Sequence, residues 1–304
     1  MDIPEGLHGA HRRHDLIERV GRYRVEQAVE QGALRRLWTG VLVSRPRYLD
    51  PLTRAAAALL AHGPAAALAG PTAAALHGCT AIDTARTHVI VPYGHSSRSR
   101  AGLVVHNGPL PPDDIEESSG LRTLSLERVI ADLLCTARAR DALAVTDQAL
   151  AMYQQPQREQ FRAALDGRLS VRRDPRGTKR GAQLLGLATG RAESAPESWL
   201  LLELVSLGFP VPEVNWSLRS PSGSEVYRLD LAWPEQRIAV EYNGYSVHVD
   251  QQLADQRRLD DLRRRGWIVI VATSADLANS YRLQCALRVA FERRGAWVRV
   301  ERPA

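Results

Sequence analysis

Two carboxylates interrupt apolar runs in the last third of the chain: Asp230 in Leu229-Asp230-Leu231 and Glu241 in Ala239-Val240-Glu241. A charge in a half-buried strand is costly unless it is paired or binds a metal. Tyr227–Trp233 and Ile238–Tyr242 both read as strands, separated only by the turn Pro234-Glu235-Gln236-Arg237. Such a hairpin can bring both acids near one cation. Mg²⁺, or Mn²⁺ in its place, is a hard ion that takes oxygen ligands and keeps several waters, so two or three carboxylates with the Tyr242 carbonyl would suffice. Bound there, the ion would polarise a substrate oxygen and lower the pKa of a bound water. Taken singly, each acid would be an ordinary solvated carboxylate; the shared strand setting argues for a site.

The surrounding segments must position these acids. Pro196 stands near the start of an apolar helix, Trp199–Leu207, which Gly208-Phe209-Pro210 stops. Val214–Leu218 reads as a strand before the turn Ser220–Ser224. Asn243-Gly244 closes the Glu241 strand. A polar helix, Leu253–Arg265, a strand, Trp267–Ala272, and a final helix, Ala275–Arg293, follow.

Helix, three-strand meander, helix, strand, helix resembles the core order of the PD-(D/E)XK nuclease superfamily. Asn243-Gly244-x3-His248, Asp255-x-Arg257-Arg258 and Leu262-x3-Gly266-Trp267-x-Val269-x-Val271 are similar to its very-short-patch-repair (Vsr) endonuclease branch. The resemblance runs from Glu197 to about Leu277 and implies a restriction-endonuclease-like α/β domain over residues 194–304. It also implies that Glu197 joins Asp230 and Glu241 as a metal-holding acid and that His248, Asp255 and Arg258 border the site. Arg257 and Arg258 would then meet nucleic acid, and His248 would assist proton transfer. One departure matters: the superfamily's usual lysine, two residues after the second acid, is Asn243 here. An amide can orient a water but cannot accept its proton at neutral pH. Lys179 is the only lysine in the chain, so no other can take that role. Cleavage would depend on the metal alone, on His248, or be lost.

At the other end, residues 1–50 read as helix, tight turn, helix and two-stranded ribbon. The second helix, Tyr23–Gln31, stops at Gly32; Ala33–Trp38 and Val41–Val43 flank the hairpin signal Thr39-Gly40. This order suggests a winged helix-turn-helix, although the segment before Asp15 makes a poor helix. Arg22 and Arg24 on the second helix, with Arg35 and Arg36 on the wing, would face DNA phosphates. The plainer reading is a small cap with solvated arginines.

Residues 51–167 mix alanine-rich helices (Thr53–His62, Pro71–His77) with short strands (Thr87–Pro92, Leu103–Asn107) and two further helices (Leu124–Arg138, Asp141–Tyr153). The alanine runs suit a GC-rich genome. The motifs Gly32-x4-Leu37-x2-Gly40-Val41-Leu42, Leu76-His77-Gly78, Val89-Ile90-Val91-Pro92 and Gly120-Leu121-Arg122-Thr123-Leu124 resemble the AbiEi-type antitoxins of bacterial abortive-infection systems, from about Asp15 to Gln155. That resemblance implies transcriptional regulation and a toxin or other defence-system partner. His77, beside a helix end, reads as structural. Residues 168–193 read as an exposed basic linker, with six cations against Asp174 between Arg168 and Arg180.

Composition sets the outer limits. With 304 residues and 44% hydrophobic content the chain can build two cores, and 40 basic against 34 acidic side chains suit a polyanion partner without requiring one. Cys79, Cys135 and Cys285 are too scattered for a disulfide framework or a zinc knuckle. The N-terminus lacks an apolar signal core and no apolar run is long enough for a membrane span, so a cytoplasmic protein is expected. The expectation is a mixed α/β protein: a metal-dependent DNA endonuclease with an N-terminal DNA-binding region, or alternatively a non-catalytic antitoxin-like regulator that retains a nuclease fold.

Overall fold

In the computed structural model, residues 4–95, 98–220, 222–244 and 249–296 are described, without the side chains of 249–255. Strand β1 (Ala10–Arg12) leads into α1 (Arg13–Val20) and α2 (Arg22–Glu30), and β2 (Leu34–Trp38) and β3 (Val41–Ser44) form the ribbon. Gly21, at φ +85°, makes the sharp break between the two helices without a Cβ penalty. Apolar residues at helical and strand spacing build one small core: Leu16, Val25, Ala28, Leu34 and Leu42. The poor helix former before Asp15 is a strand. β1 pairs with β3, so the ribbon is a three-stranded sheet in the order β1-β3-β2.

The next sheet joins β4 (Ala67–Leu68), β5 (Thr87–Val91), β6 (Leu103–Asn107), β7 (Ile115–Ser118) and β8 (Leu121–Leu124) in the order β6-β5-β4-β8-β7. Helices α3 (Pro51–His62), α4 (Gly70–Leu76) and α5 (Leu126–Thr136) accompany it. Asp50 caps α3, its carboxylate accepting from the Thr53 amide at 3.0 Å, and Pro51 is pre-set for the first turn. The alanine run is more than base composition: Ala55, Ala56, Ala57 and Ala58 are all buried, where small side chains let α3 approach its neighbours closely. Leu124 belongs to β8, opposite Ile115, and α5 begins two residues later than its apolar stripe suggests. His77 is held structurally, its Nε2 2.8 Å from the Leu124 carbonyl.

These elements, Met1–Thr136 with Ala164–Asp174, form one unit; Ala137–Ala163 and Pro175–Ala304 form the other. The second unit contains α6 (Ala139–Ala151), and the division falls within α7 (Gln157–Ser170). Half of the stretch expected as an exposed linker is helical, comprising the end of α7 and then α8 (Thr178–Leu187). Its arginines are also engaged. Arg168 pairs with Asp114 at 2.7 Å and Arg172 with Asp132, and Arg180 donates to the Ala137 carbonyl at 2.9 Å. Buried or half-buried carboxylates recruit these cations from a distance in sequence, which a local charge count does not register.

α9 (Ala195–Ser206) precedes the meander β9 (Glu213–Arg219), β10 (Glu225–Trp233) and β11 (Ile238–Tyr242). The crossover helix α10 (Val249–Arg264) returns the chain to β12 (Ile268–Ala272), parallel to β11, giving the order β12-β11-β10-β9. Leu229, Ala232, Ala239, Leu262 and Trp267 form a core on this sheet. The expected last helix is two. Thr273 and Asp276 form a reciprocal capping box on α11 (Ser274–Ala278), Asn279 is extended, and α12 (Tyr281–Arg293) starts afresh. The architecture is mixed α/β, as the element pattern predicts.

Candidate functional site

The ladder pairs Leu231 with Val240 in antiparallel register. The pairing ends there; continuing its register by one step sets Asp230 opposite Glu241, and opposed residues project from the same face. The Tyr242 amide donates to Asp230 Oδ2 at 2.8 Å and closes that end of the hairpin. β11 is central and buried through Ile238, Ala239, Val240 and Glu241, so Glu241 is removed from water by the same apolar residues that make the strand.

Glu197 arrives from the first turn of α9, where Pro196 sits. It is buried, and its Oε1 accepts from Ser194 Oγ at 2.7 Å. Its Oε2 accepts from the Glu193 amide at 2.9 Å and from Asn215 Nδ2 at 3.2 Å. Asn215 reaches it from a left-handed backbone position, φ +49°, in β9. A polar residue inside Val214-Asn215-Trp216 was the signal for this contact; its partner was not legible.

Burial foremost, then the charge of Glu241 and that of Glu197, pushes the Asp230 carboxyl up to about 7; the Tyr242 amide and Arg258 act in the opposite sense. Arg258, on α10, forms an ion pair with Glu241 Oε2, donates to the Arg228 carbonyl at 2.6 Å and lies over the Tyr227 ring at 5.7 Å. Arg258 thus lies against one of the acids it was expected to border, and its guanidinium is engaged by Glu241. A guanidinium in reach of a buried carboxylate is held there by Coulomb attraction, which the low local dielectric strengthens and which offsets the desolvation of the acid.

The three acids share one region of the unit without converging fully. Among the described residues, the group of three whose ligating atoms all lie within 4.8 Å is His14, Asp15 and Glu18, exposed on α1. Glu197 is drawn toward Ser194 and Asn215, and Glu241 toward Arg258. Asp230 and Glu241 remain oxygen donors of the type a hard divalent cation accepts, and the Asp230 carboxyl is raised first by burial and only then by the neighbouring Glu241 charge. Asn243 is exposed just past β11, its amide donating to the Ala272 carbonyl at 2.8 Å. Arg257 is exposed on α10, whereas His248 and the side chain of Asp255 lie outside the described residues.

A buried anchor behind this region was not foreseen. Asp147 on α6 accepts from Ser198 Oγ at 2.7 Å, the Thr189 amide at 2.7 Å and the Gly190 amide at 2.8 Å. Ser198 directly follows Glu197, so α6 fixes the start of α9. Nothing in the local spacing of Asp141–Tyr153 singles out this aspartate, because its three donors lie more than 40 residues away in the chain.

The N-terminal candidates belong to the first unit. Arg22 and Arg24 are exposed on α2, and Arg35 and Arg36 on β2, with Arg35 stacked over the Tyr48 ring at 4.3 Å. Among the described residues no helix is long and apolar enough to cross a membrane.

Residues 64–187 match the family model of the AbiEi antitoxin C-terminal domain. Two strains of Mycobacterium tuberculosis supply relatives, the uncharacterized proteins MT2308 and Rv2248. Each is 33% identical over 251 residues, covering 82% of this chain and 89% of the relative. The chain belongs to the same family as these mycobacterial proteins, and the AbiEi match covers its residues 64–187.

Proposed function

We propose that the chain is a DNA-binding regulator of the antitoxin type. It acts in the cytoplasm, with a toxin or another defence protein as partner of its AbiEi-type domain. The observation that carries this reading is the helix–helix–ribbon module with exposed Arg22, Arg24, Arg35 and Arg36 just ahead of residues 64–187. Cations without internal carboxylate partners are available to phosphates, and they release counterions on binding. In this reading the C-terminal sheet keeps a nuclease-like plan without cleaving. Glu241 is paired with Arg258, and Asn243 cannot take a proton. The test is a mobility-shift titration of the full-length chain on duplex DNA, including its own upstream region, at increasing salt. Binding that weakens with salt and is reduced by Arg22→Ala plus Arg24→Ala supports the regulator; no salt-dependent binding removes it.

A metal-dependent endonuclease is the second reading, favoured by the Asp230–Glu241 pair and the elevated Asp230 pKa. Asp230 and Glu241, with the Tyr242 carbonyl and Glu197 behind them, would hold Mg²⁺ or Mn²⁺. The ion would supply a polarised phosphate and a more acidic water. Asn243 would orient that water, His248 would assist its proton, and Arg257 would meet the strand. Plasmid incubated with either metal, with Asp230→Ala as control, decides between the readings.

A further inference from the structure

The ribbon's only tryptophan is fixed from two directions. Trp38 is buried at the end of β2, its Nε1 donates to the Ala101 carbonyl at 3.2 Å, and the Arg54 guanidinium lies 5.7 Å from its ring centroid. The acceptor belongs to a tight turn. Arg100 and Leu103 exchange backbone hydrogen bonds of 3.0 and 2.9 Å around Ala101 and Gly102, with Gly102 at φ +72°. The turn depends on glycine for this left-handed conformation, and a Cβ there would only displace the flexible tip of the Arg54 side chain.

The consequence is a cleft of about 320 Å³ lined by Arg36, Leu37, Trp38, Thr39, Arg100 and Ala101. Its two cations belong to one unit, Arg36 on β2 and Arg100 in the turn that precedes β6, and both are exposed. Among the described residues neither forms an ion pair, whereas Arg168 and Arg172 of the same unit are taken up by Asp114 and Asp132. Two uncompensated guanidiniums beside a hydroxyl, on backbone held by the Trp38 anchor, are suited to a tetrahedral oxyanion with its forked hydrogen-bonding geometry.

We propose that Arg36 and Arg100 form one phosphate-binding cleft that extends the contact of the ribbon with the backbone of duplex DNA. The proposal rests on the DNA-binding reading above and adds Arg100, with Trp38 as the positioning residue that holds the Arg100 turn against the ribbon. Phosphate contacts fix register and orientation without reading bases, so the cleft sets how the duplex lies and leaves sequence preference elsewhere.

The test is fluorescence anisotropy of the full-length chain on a labelled mixed-sequence duplex across a salt series. Each phosphate contact contributes roughly 0.9 to the slope of log K against log salt. Arg100→Ala and Arg36→Ala should each lower that slope by about one and weaken binding several-fold at moderate salt. Arg100→Lys should preserve the slope, and Arg293→Ala, on an exposed face of the other unit, should not alter it. Thermal melts establish that the variants are folded. Wild-type binding that responds to Arg22→Ala and Arg24→Ala but is unchanged in Arg100→Ala overturns the cleft and leaves the DNA-binding reading intact. Absence of salt-dependent duplex binding by wild type overturns both. An Arg100→Ala defect on single-stranded RNA with none on duplex DNA overturns the choice of partner.

Discussion

Arg258 from the crossover helix closes on Glu241 of the central strand, and that ion pair decides what the acidic end of the sheet can do. Without it, Asp230 and Glu241 would present two like charges across one ladder rung. With it, one of the two is neutralised from within the protein, and a divalent cation must compete with a guanidinium for the same oxygen.

Metal affinity should therefore rise when Arg258 is removed. In calorimetric titration with Mn²⁺, Arg258→Ala should bind more tightly than wild type, while Asp230→Ala and Glu241→Ala should show no binding. Undiminished heat in both acid variants would remove the proposed metal site.

The pH dependence of stability has a definite sign at Asp230. Its folded carboxyl is raised to about 7 from an ordinary 3.8, so between those values the folded state holds more protons than the unfolded one. Stability from this group is fully present below about 4 and falls as pH rises through about 7. In chelator-treated protein, Asp230→Asn should melt higher than wild type at pH 8, by on the order of 1–2 kcal/mol, with the partial exposure of the group tempering the full shift. At pH 4 the two should converge. A constant difference across that range would mean that Asp230 ionises normally.

Asn243 separates the regulator from the nuclease. For a regulator, wild type leaves plasmid intact with Mg²⁺ and Mn²⁺, and Asn243→Lys or Asn243→Asp can create weak cleavage because the acids are in place. For a nuclease, wild type cleaves, Asp230→Ala is inactive, and Asn243→Ala costs a modest factor. Wild-type cleavage that survives Asp230→Ala would place the chemistry elsewhere.

Asp147 should be among the most sensitive positions of the second unit. Its carboxylate is buried and receives three hydrogen bonds, from Ser198 Oγ and the amides of Thr189 and Gly190. Asp147→Ala strands those donors and should destabilise the protein by about 2–4 kcal/mol in urea unfolding. Asp147→Asn retains an acceptor and should cost less. A near-neutral Asp147→Ala would show that water replaces the carboxylate.

The order of elements was open to reading because it is a local property. Leu16, Val25 and Ala28 mark one face of a helix pair, Thr39-Gly40 marks a hairpin, and the apolar strand Ile238-Ala239-Val240 marks a central position, all by spacing of side chains along the chain. Asp230 and Glu241 could be singled out for the same reason, since an acid in an apolar strand is conspicuous. Which partner each acid takes was decided only in three dimensions. Arg258 reaches Glu241 from within the crossover helix, 17 residues on, Asn215 reaches Glu197 from the next strand, and Arg168 and Arg172 fold back onto Asp114 and Asp132. Ion pairs and buried hydrogen bonds depend on distance and desolvation, and neither quantity is encoded by neighbours in sequence. The same holds for the Arg36–Arg100 cleft, whose two sides are brought together by one hydrogen bond from Trp38 to Ala101.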